Sequence, residues 1–238
     1  MTDRTPSRDR WAADIARLDA PASPARKAPL SAERIIDAAF GIVEAEGYEA
    51  LTMRRVAVLL GTGPASLYAH VRSKAELDDL LIGRLCAEVP LPTPSVDQWR
   101  AQFLAVCAGL RDQYLRYPGI SAAAFTAAPQ SLETMRISEG LLAILLAAGV
   151  APLDAAWTID AAFLYVSAYS LEVALRTRAE ERDGEPSRDR GELAERLRML
   201  PAERFPNTVA HADELTSGRG HERFDFTLNL LLDGLRRP

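Results

Sequence analysis

The chain has 238 residues, 48% of them hydrophobic, and a formal net charge of −5 at pH 7. This length and composition suffice to bury one large core or two smaller ones. No uninterrupted apolar run approaches the roughly 18 residues that a membrane-spanning helix needs, and the polar N-terminus lacks the pattern of a signal peptide. We therefore predict a cytoplasmic protein that does not contact a membrane.

Alternating strand patterns are nearly absent, while Ala, Leu, Arg and Glu are abundant, so the sequence predicts an all-α fold. Two cysteines, Cys86 and Cys107, match no metal or redox spacing, and we expect buried free thiols. Residues 1–30 are rich in Pro, Ala and Ser and are typical of a flexible extension. An alternative is that Arg26 and Lys27 form a basic arm that reaches a DNA groove.

The first helices are predicted at 31–46, 52–60 and 64–70. Ser31 is suited to begin the first of them and Gly47 to end it. The three helices can share one small core, which would be marginal alone, so we expect a fourth helix over residues 74–89 to support it.

The stretch from Thr52 to Lys74 has the pattern of two short helices joined by a tight turn. Gly61 suits the end of the first helix and Pro64 the first position of the second. Between Leu51 and Ala75 there is no acid but there are four cations, namely Arg54, Arg55, Arg72 and Lys74. A helix-turn-helix with a local cationic strip indicates binding to DNA phosphates.

The start of helix 74–89 supports the same interpretation. Ser73 and Glu76 have the spacing of a capping box. Lys74 lies in the first turn, where the helix dipole disfavours a cation. A cation beside free amide donors indicates a site for an anion such as phosphate.

The remainder of the chain predicts a larger helical domain. Its expected helices span 95–116, about 119–127, 130–148, 152–182, 206–215 and 221–236, with a mobile charged loop at about 181–192. Helices 152–182 and 221–236 are apolar over a broad arc. Deep burial within one chain and a dimer interface both account for that breadth.

The residues described so far identify a family. The segment EAEGYEALTMRRVAVLLGTGPASLYAHVRSKAELDDLL closely resembles the DNA-binding domain of the tetracycline-repressor (TetR) family, and the match runs from Ser31 to about Leu85. The C-terminal part is more weakly similar to the ligand-binding domain of the tetracycline repressor. The resemblance implies a bacterial homodimer that binds a pseudo-palindromic operator in double-stranded DNA and is released by a small molecule. It also implies that the four-helix dimer interface is built from helices 152–182 and 221–236.

The family's motif assigns contact roles to particular residues. Carried over position by position, the residues that contact DNA are Thr52, Arg54, Pro64, Ala65, Ser66, Tyr68, His70 and Lys74. Ala69 departs from the pattern, because many relatives carry Trp, Arg or Tyr there. Ala124 and Val89-Pro90 stand where the tetracycline repressor has histidines of its ligand pocket. These side chains cannot bind a divalent ion, so we predict no metal and no cofactor.

A pocket for the effector is expected among helices 95–148 and 152–182, by resemblance and because helical bundles host such sites. The aromatic stripe and the polar residues beside it supply the candidates Trp99, Gln102, Phe103, Thr134, Ser138, Trp157, Tyr165 and Tyr169. For the aromatic residues, a place in the ordinary core is the alternative.

The sequence therefore predicts three parts: an N-terminal extension over 1–30, a helix-turn-helix domain over 31–77, and a ligand-binding and dimerisation domain over 78–238. The predicted function is that of a sequence-specific transcriptional regulator, namely a repressor released by a small apolar or aromatic molecule. The alternative is a DNA-binding regulator without such an effector, either controlled by a protein partner or constitutive. We do not expect an enzyme, because the sequence has no nucleophile elbow, phosphate-binding Gly loop or metal cluster.

Overall fold

The computed structural model describes residues 29–125, 131–183 and 190–235. Within these ranges the chain forms helices and no β-strand, and the all-α fold class is confirmed. The extension over 1–30 and its candidate arm at Arg26 and Lys27 fall almost entirely outside the described residues. Residues 32–238 form one compact unit. A single helix runs through residues 77 and 78, so the predicted boundary there coincides with no break in the chain.

Four helices form the N-terminal part. They are α1 (Ala32–Glu46), α2 (Met53–Leu59), α3 (Pro64–Leu67) and α4 (Lys74–Ala87), with a short 3-10 helix at Tyr48–Ala50 between α1 and α2. Their apolar faces meet in one core that contains Phe40, Val56, Leu67 and Leu77, all of which are buried. The supporting role predicted for the fourth helix is consistent with the packing of α4 against α1.

The rest of the chain adds a 3-10 helix, Ile120–Phe125, and seven α-helices in the described ranges. The α-helices are α5 (Trp99–Arg116), α6 (Leu132–Ala147), α7 (Pro152–Asp183), α8 (Arg190–Arg198), α9 (Pro206–Ala210), α10 (Ala212–Leu215) and α11 (Glu222–Asp233). Helix α7 packs against α5, α6 and α11, and α4 packs against α5, α6 and the 3-10 helix. This arrangement brings α4, which begins beside the helix-turn-helix, into the C-terminal bundle.

The predicted boundaries that differ from the structure include the start of α5, the charged loop before α8 and the helix predicted at 206–215, which is split into α9 and α10. Helix α5 begins at Trp99 rather than 95, because the Gln102 side chain accepts a hydrogen bond from Ser95 N at 3.0 Å and donates one to Thr93 O at 2.8 Å, which holds residues 93–95 outside the helix. The loop predicted at 181–192 was wrong at both ends, since residues 181–183 and 190–192 are helical. Residues 184–189 lie outside the described ranges. The charged sequence of α8 is compatible with an exposed helix, because side chains four residues apart form ion pairs such as Arg196–Glu192 at 2.5 Å.

Helix α7 is long and apolar enough, by length and composition alone, to cross a membrane, with a mean hydropathy of 1.2 in its most apolar window. A helix at the centre of a bundle passes the same test. The packing partners of α7 and its buried residues, including Ala162 and Val166, are those of a core helix.

Substitution by alanine is expected to change stability in opposite directions at two glycines, Gly41 inside α1 and Gly47 just after it. Gly47 has φ +81°, and a Cβ there would meet the guanidinium of Arg178, which donates to Glu46 O. Gly41 lies inside α1, and a Cβ there would meet nothing within 4 Å. We expect Gly47→Ala to destabilise the fold by about 1–3 kcal/mol and Gly41→Ala to stabilise it by about 0.5–1 kcal/mol. Thermal unfolding midpoints of the two variants test this, and a shift in the same direction for both would contradict it.

Candidate DNA-binding surface and effector cavity

Local capping interactions fix the geometry of α2 and of the turn that follows. Thr52 precedes α2, and its hydroxyl accepts a hydrogen bond from Arg55 N at 3.2 Å. At the other end Gly61 has φ 63° and donates to Val58 O, while Thr62 N donates to Ala57 O. This pair of bonds is a Schellman motif, for which glycine is the favoured residue. The sequence thus encodes both ends of α2.

Helix α3 is short and is anchored by one buried side chain, that of Leu67. Gly63 precedes the helix and Pro64 occupies its first turn. Residues Pro64, Ala65, Ser66 and Tyr68 are exposed, the last to 48%. The helix ends at Leu67 rather than 70, and Tyr68 to His70 form a turn in which His70 N donates to Leu67 O.

The cationic strip of the helix-turn-helix is largely neutralised by acids from outside it. Arg55 pairs with Glu46, Arg72 with Glu76, and Lys74 with Asp78. Arg54 is exposed and forms no ion pair with any residue of the described ranges. Arg54 is therefore the cation of the strip best placed to meet a phosphate or a base.

The Lys74 side chain is not free in solvent but connects α4 to the 3-10 helix that follows α1. Its Nζ donates to the Tyr48 hydroxyl at 3.0 Å, lies 4.3 Å from the centre of that ring, and pairs with the buried carboxylate of Asp78. Burial and, second, the charge of Asp78 raise the pKa of Tyr48. The capping box is half formed: Ser73 Oγ accepts from Glu76 N, but the Glu76 carboxylate accepts from Arg72 N and not from Ser73 N.

A cavity of about 200 Å³ lies where α4, α5, α6, α7 and the second 3-10 helix meet. Its lining residues are Asp79, Ile82, Cys86, Leu110, Tyr114, Ala123, Ala124, Phe125, Thr134, Asp160, Phe163, Leu164 and Ser167. Most of this surface is apolar, with a few hydroxyl and carboxyl groups between the apolar side chains. Such a lining suits a small organic molecule with a largely apolar body.

Comparison with known families shows to which family a chain with this surface and this cavity belongs. Residues 91–238 match the model of the tetracyclin repressor-like C-terminal domain, and residues 35–78 match that of bacterial regulatory proteins of the tetR family. The chain belongs to the TetR family of transcriptional regulators. The predicted family and the prediction of a DNA-binding transcriptional regulator are thereby confirmed.

Similar proteins include TetR-family proteins of streptomycetes. The HTH-type transcriptional repressor DrrR1 of Streptomyces coeruleorubidus is 31% identical over 215 residues, which cover 88% of this chain and 78% of the relative. The crystal structure of apo ActR from Streptomyces coelicolor is 34% identical with a TM-score of 0.77, and the match covers 87% of this chain and 97% of ActR. ActR in complex with actinorhodin is 35% identical with a TM-score of 0.76, covering 87% and 95%.

The residues predicted to bind the effector of this TetR-family chain lie mostly outside the cavity. Thr134 is the one among them that lines it. Trp99 and Phe103 are buried in the core, and the Gln102 amide is engaged by residues 93–95. Helical spacing identified an apolar stripe but not the neighbouring helix that each residue faces.

The other candidates also have identified positions. The Ser138 hydroxyl donates to Thr134 O at 3.3 Å, Tyr165 OH donates to Arg223 O, and Tyr169 OH lies 2.9 Å from His221 Nδ1. The Trp157 side chain is exposed and faces a separate groove beside Leu230. These contacts assign Tyr165 and Tyr169 to the packing of α7 against α11.

Sequence reasoning missed the two acids of the cavity, Asp79 and Asp160. A signal was present, because Asp160 is the only acid between Asp154 and Glu172 in an otherwise apolar stretch. Ala124, at the position of a magnesium-binding histidine in the tetracycline repressor, lines the cavity. Among the described residues no group of three or more His, Cys, Asp and Glu side chains is placed to hold a metal ion.

Both thiols are buried and free, as predicted. Burial raises the pKa of Cys86, which lines the cavity, to about 11, and that of Cys107 to about 12. Because the thiolate is the reactive form, we expect both to react with a disulfide reagent at pH 8 at least about 100-fold more slowly in the folded protein than in guanidinium. Absorbance of the released thiol chromophore measures this. Rapid modification of the folded protein would contradict the burial.

Proposed function

We propose that the chain is a dimeric repressor whose operator binding is controlled by a small molecule in the cavity. One observation carries the proposal: α4 connects the two sites. At its N-terminal end Lys74 and Asp78 contact Tyr48 of the DNA-binding part, and further along Asp79, Ile82 and Cys86 line the cavity. The adjacent side chains of Asp78 and Asp79 therefore belong to different sites. The proposed division of the chain is 31–77 for DNA binding and 78–238 for ligand binding and dimerisation.

On the DNA side, α3 and the turn after it form the surface that enters the major groove. Arg54, Ala65 and Ser66 contact base edges, while the Thr52 and Tyr68 hydroxyl groups contact phosphates. Pro64 and His70 lie beside them. Lys74 contacts phosphate only if its pairing with Asp78 leaves an N–H available, and 33% of its side chain is exposed. This assignment is supported by the exposure of Tyr68 and by the guanidinium of Arg54, which forms no ion pair within the described part of the chain.

Dimerisation rests on the exposed apolar side chains of α7 and α11. Trp157 is 67% exposed, and it shares a groove with Leu230 and Leu231. Leu153 and Phe226 extend the surface at helical spacing of four residues on either helix. Exposed apolar side chains of this size cluster at protein interfaces. A two-fold axis through this surface pairs two helices from each protomer, and the symmetric dimer then matches a pseudo-palindromic operator.

On the effector side, the cavity favours a regulator with a small-molecule ligand over one without. The structure of ActR with actinorhodin supports the same choice for this chain. The ligand acts only if it binds the DNA-incompetent arrangement more tightly than the DNA-bound one. A displacement of α4 then changes the spacing of the DNA-binding parts of the two protomers. A coupling free energy of about 1–3 kcal/mol between ligand and operator binding weakens operator binding roughly 5–150-fold. The site of action is the bacterial cytoplasm, where the operator is.

DNase I footprinting on the DNA immediately upstream of the chain's own gene tests the proposal. We expect the wild type to protect one site containing two related half-sites, with centres about one helical turn apart or slightly more. Tyr68→Ala should lose the protection at equal protein concentration. A non-specific pattern across the fragment and across upstream fragments of the neighbouring genes, identical for the two proteins, would refute a sequence-specific role for this surface.

A further inference from the structure

The charges of the cavity lining all have one sign. Asp79 contributes a carboxyl group from α4 and Asp160 another from α7, while no Lys, Arg or His is among the described lining residues. Within the part of the lining that the structure describes, the ligand thus meets two acids and no fixed cation.

Arg136, a cation that contacts the backbone of the cavity residue Cys86, is engaged elsewhere. Arg136 of α6 donates to Cys86 O at 2.6 Å and Val89 O at 3.0 Å, at the C-terminal end of α4, and pairs with Glu133 at 2.9 Å. Its guanidinium therefore satisfies helix carbonyl groups and does not line the cavity. The remaining polar groups of the lining, such as Tyr114, Thr134 and Ser167, are neutral hydroxyl groups.

We infer that the effector is a cationic amphiphile, with an aromatic or aliphatic body against Ile82, Leu110 and Phe163 and a protonated amine that is attracted by half-buried Asp79 and by Asp160 at the exposed edge of the cavity. This inference rests on the proposed function and specifies the ligand class of the same site. Transfer of an ammonium group into an apolar cavity is costly unless a carboxylate pairs with it. An organic acid in this cavity would instead face two like charges, which selects against it.

Because Asp79 belongs to α4, it would bring the charged group of the ligand into contact with the helix that connects the cavity to the DNA-binding part. Its carboxylate accepts a hydrogen bond from Ser131 N at 3.3 Å, between α4 and the start of α6. A carboxylate has two oxygens and can accept several hydrogen bonds, so the amine of a ligand can be a further donor beside the partners that Asp79 already has. The amine would then bind directly to α4, one residue from the Asp78 side chain that pairs with Lys74.

Three probes with one aromatic body and different charges test the inference: naphthylmethylamine, naphthylmethanol and naphthoate. Calorimetric titration of the full chain should give the amine an affinity at least about tenfold higher than the alcohol, with naphthoate the weakest. Asp79→Asn and Asp160→Asn should each weaken amine binding several-fold and leave alcohol binding unchanged. Asp97→Asn, which removes the same charge from an exposed loop outside the cavity, is the control and should bind all probes like the wild type.

Each other outcome overturns the inference. If the alcohol binds as tightly as the amine, or naphthoate more tightly, the charge of the lining does not select the ligand. If no probe binds, the cavity does not take a cationic aromatic molecule of this size. The DNase I footprint of the proposed function is measured without any probe. A footprint together with a failed probe experiment would show that only the ligand class was wrong. The absence of a footprint would refute the proposed function itself.

Discussion

Trp157→Glu is expected to separate the dimer into monomers and to weaken operator binding by at least about 100-fold. The reason is that the dimer binds two half-sites at once, and the loss of linkage between two binding units costs about 10²–10⁴ in affinity. Trp157 is 67% exposed and belongs to the apolar surface proposed as the interface, and a carboxylate there would be buried against apolar side chains of the partner without a compensating charge. The folded protomer should survive, because the indole is exposed within it.

Sedimentation velocity and DNA titration measure the two effects, with circular dichroism as the check on folding. Leu132→Glu is the matched control, since Leu132 is also apolar and exposed, to 85%, but belongs to α6 and not to α7 or α11. The control should remain dimeric and bind DNA like the wild type. A dimeric Trp157→Glu protein with undiminished DNA binding would place the interface elsewhere.

Leu67→Ala is expected to destabilise the DNA-binding part by about 2–5 kcal/mol, because truncating a fully buried leucine leaves a cavity. Leu67 is the one buried residue of α3, so its side chain is the part of this short helix that enters the core. The loss should therefore appear twice, as a lower free energy of unfolding and as a loss of operator binding.

The neighbouring residue offers the contrast. Tyr68→Ala removes an exposed side chain, which should change stability by no more than about 0.5 kcal/mol, yet it should also weaken operator binding. Denaturant unfolding and DNA titration of both variants separate the anchoring role from the contact role. Equal stability losses in the two variants, or full DNA binding by Leu67→Ala, would show that α3 is not held in this way.

The sequence predicted the helix-turn-helix well because its geometry depends on local interactions. Thr52, Gly61 and Pro64 each act on backbone groups within a few residues, and the pattern of caps can be identified without tertiary information. The end of α3 could not be placed in this way. Residues 68–70 lack a helix-stopping residue, and α3 nevertheless gives way to a turn after Leu67.

The charges around the motif show what local reasoning omits. The strip between Leu51 and Ala75 contains no acid, but Glu46, Glu76 and Asp78 stand just outside it and pair with three of its cations. Asp78 in particular is one turn along α4 from Lys74, at the spacing at which helix side chains pair. The prediction of a free cationic strip therefore overestimated its net charge, and Arg54 emerges from the structure as the residue to test.

The cavity depends on long-range packing, and the sequence could predict its existence but not its walls. The spacing of apolar residues shows that α5 and α7 have buried faces. Which residues line the cavity, however, depends on how four α-helices and the second 3-10 helix meet. Helix α8 was missed for a related reason. Ala194 is its buried residue, so its sequence has the composition of a loop and almost no apolar periodicity.

The most direct test of DNA binding by this surface is a fluorescence anisotropy titration of upstream DNA at two salt concentrations with the wild type, Arg54→Ala and Arg219→Ala. The two variants lose the same charge from exposed positions, one in the helix-turn-helix and one before α11. We predict that Arg54→Ala binds at least about tenfold more weakly and depends less steeply on salt, while Arg219→Ala matches the wild type. Equal binding by all three proteins at both salt concentrations would contradict the assignment of this surface to DNA.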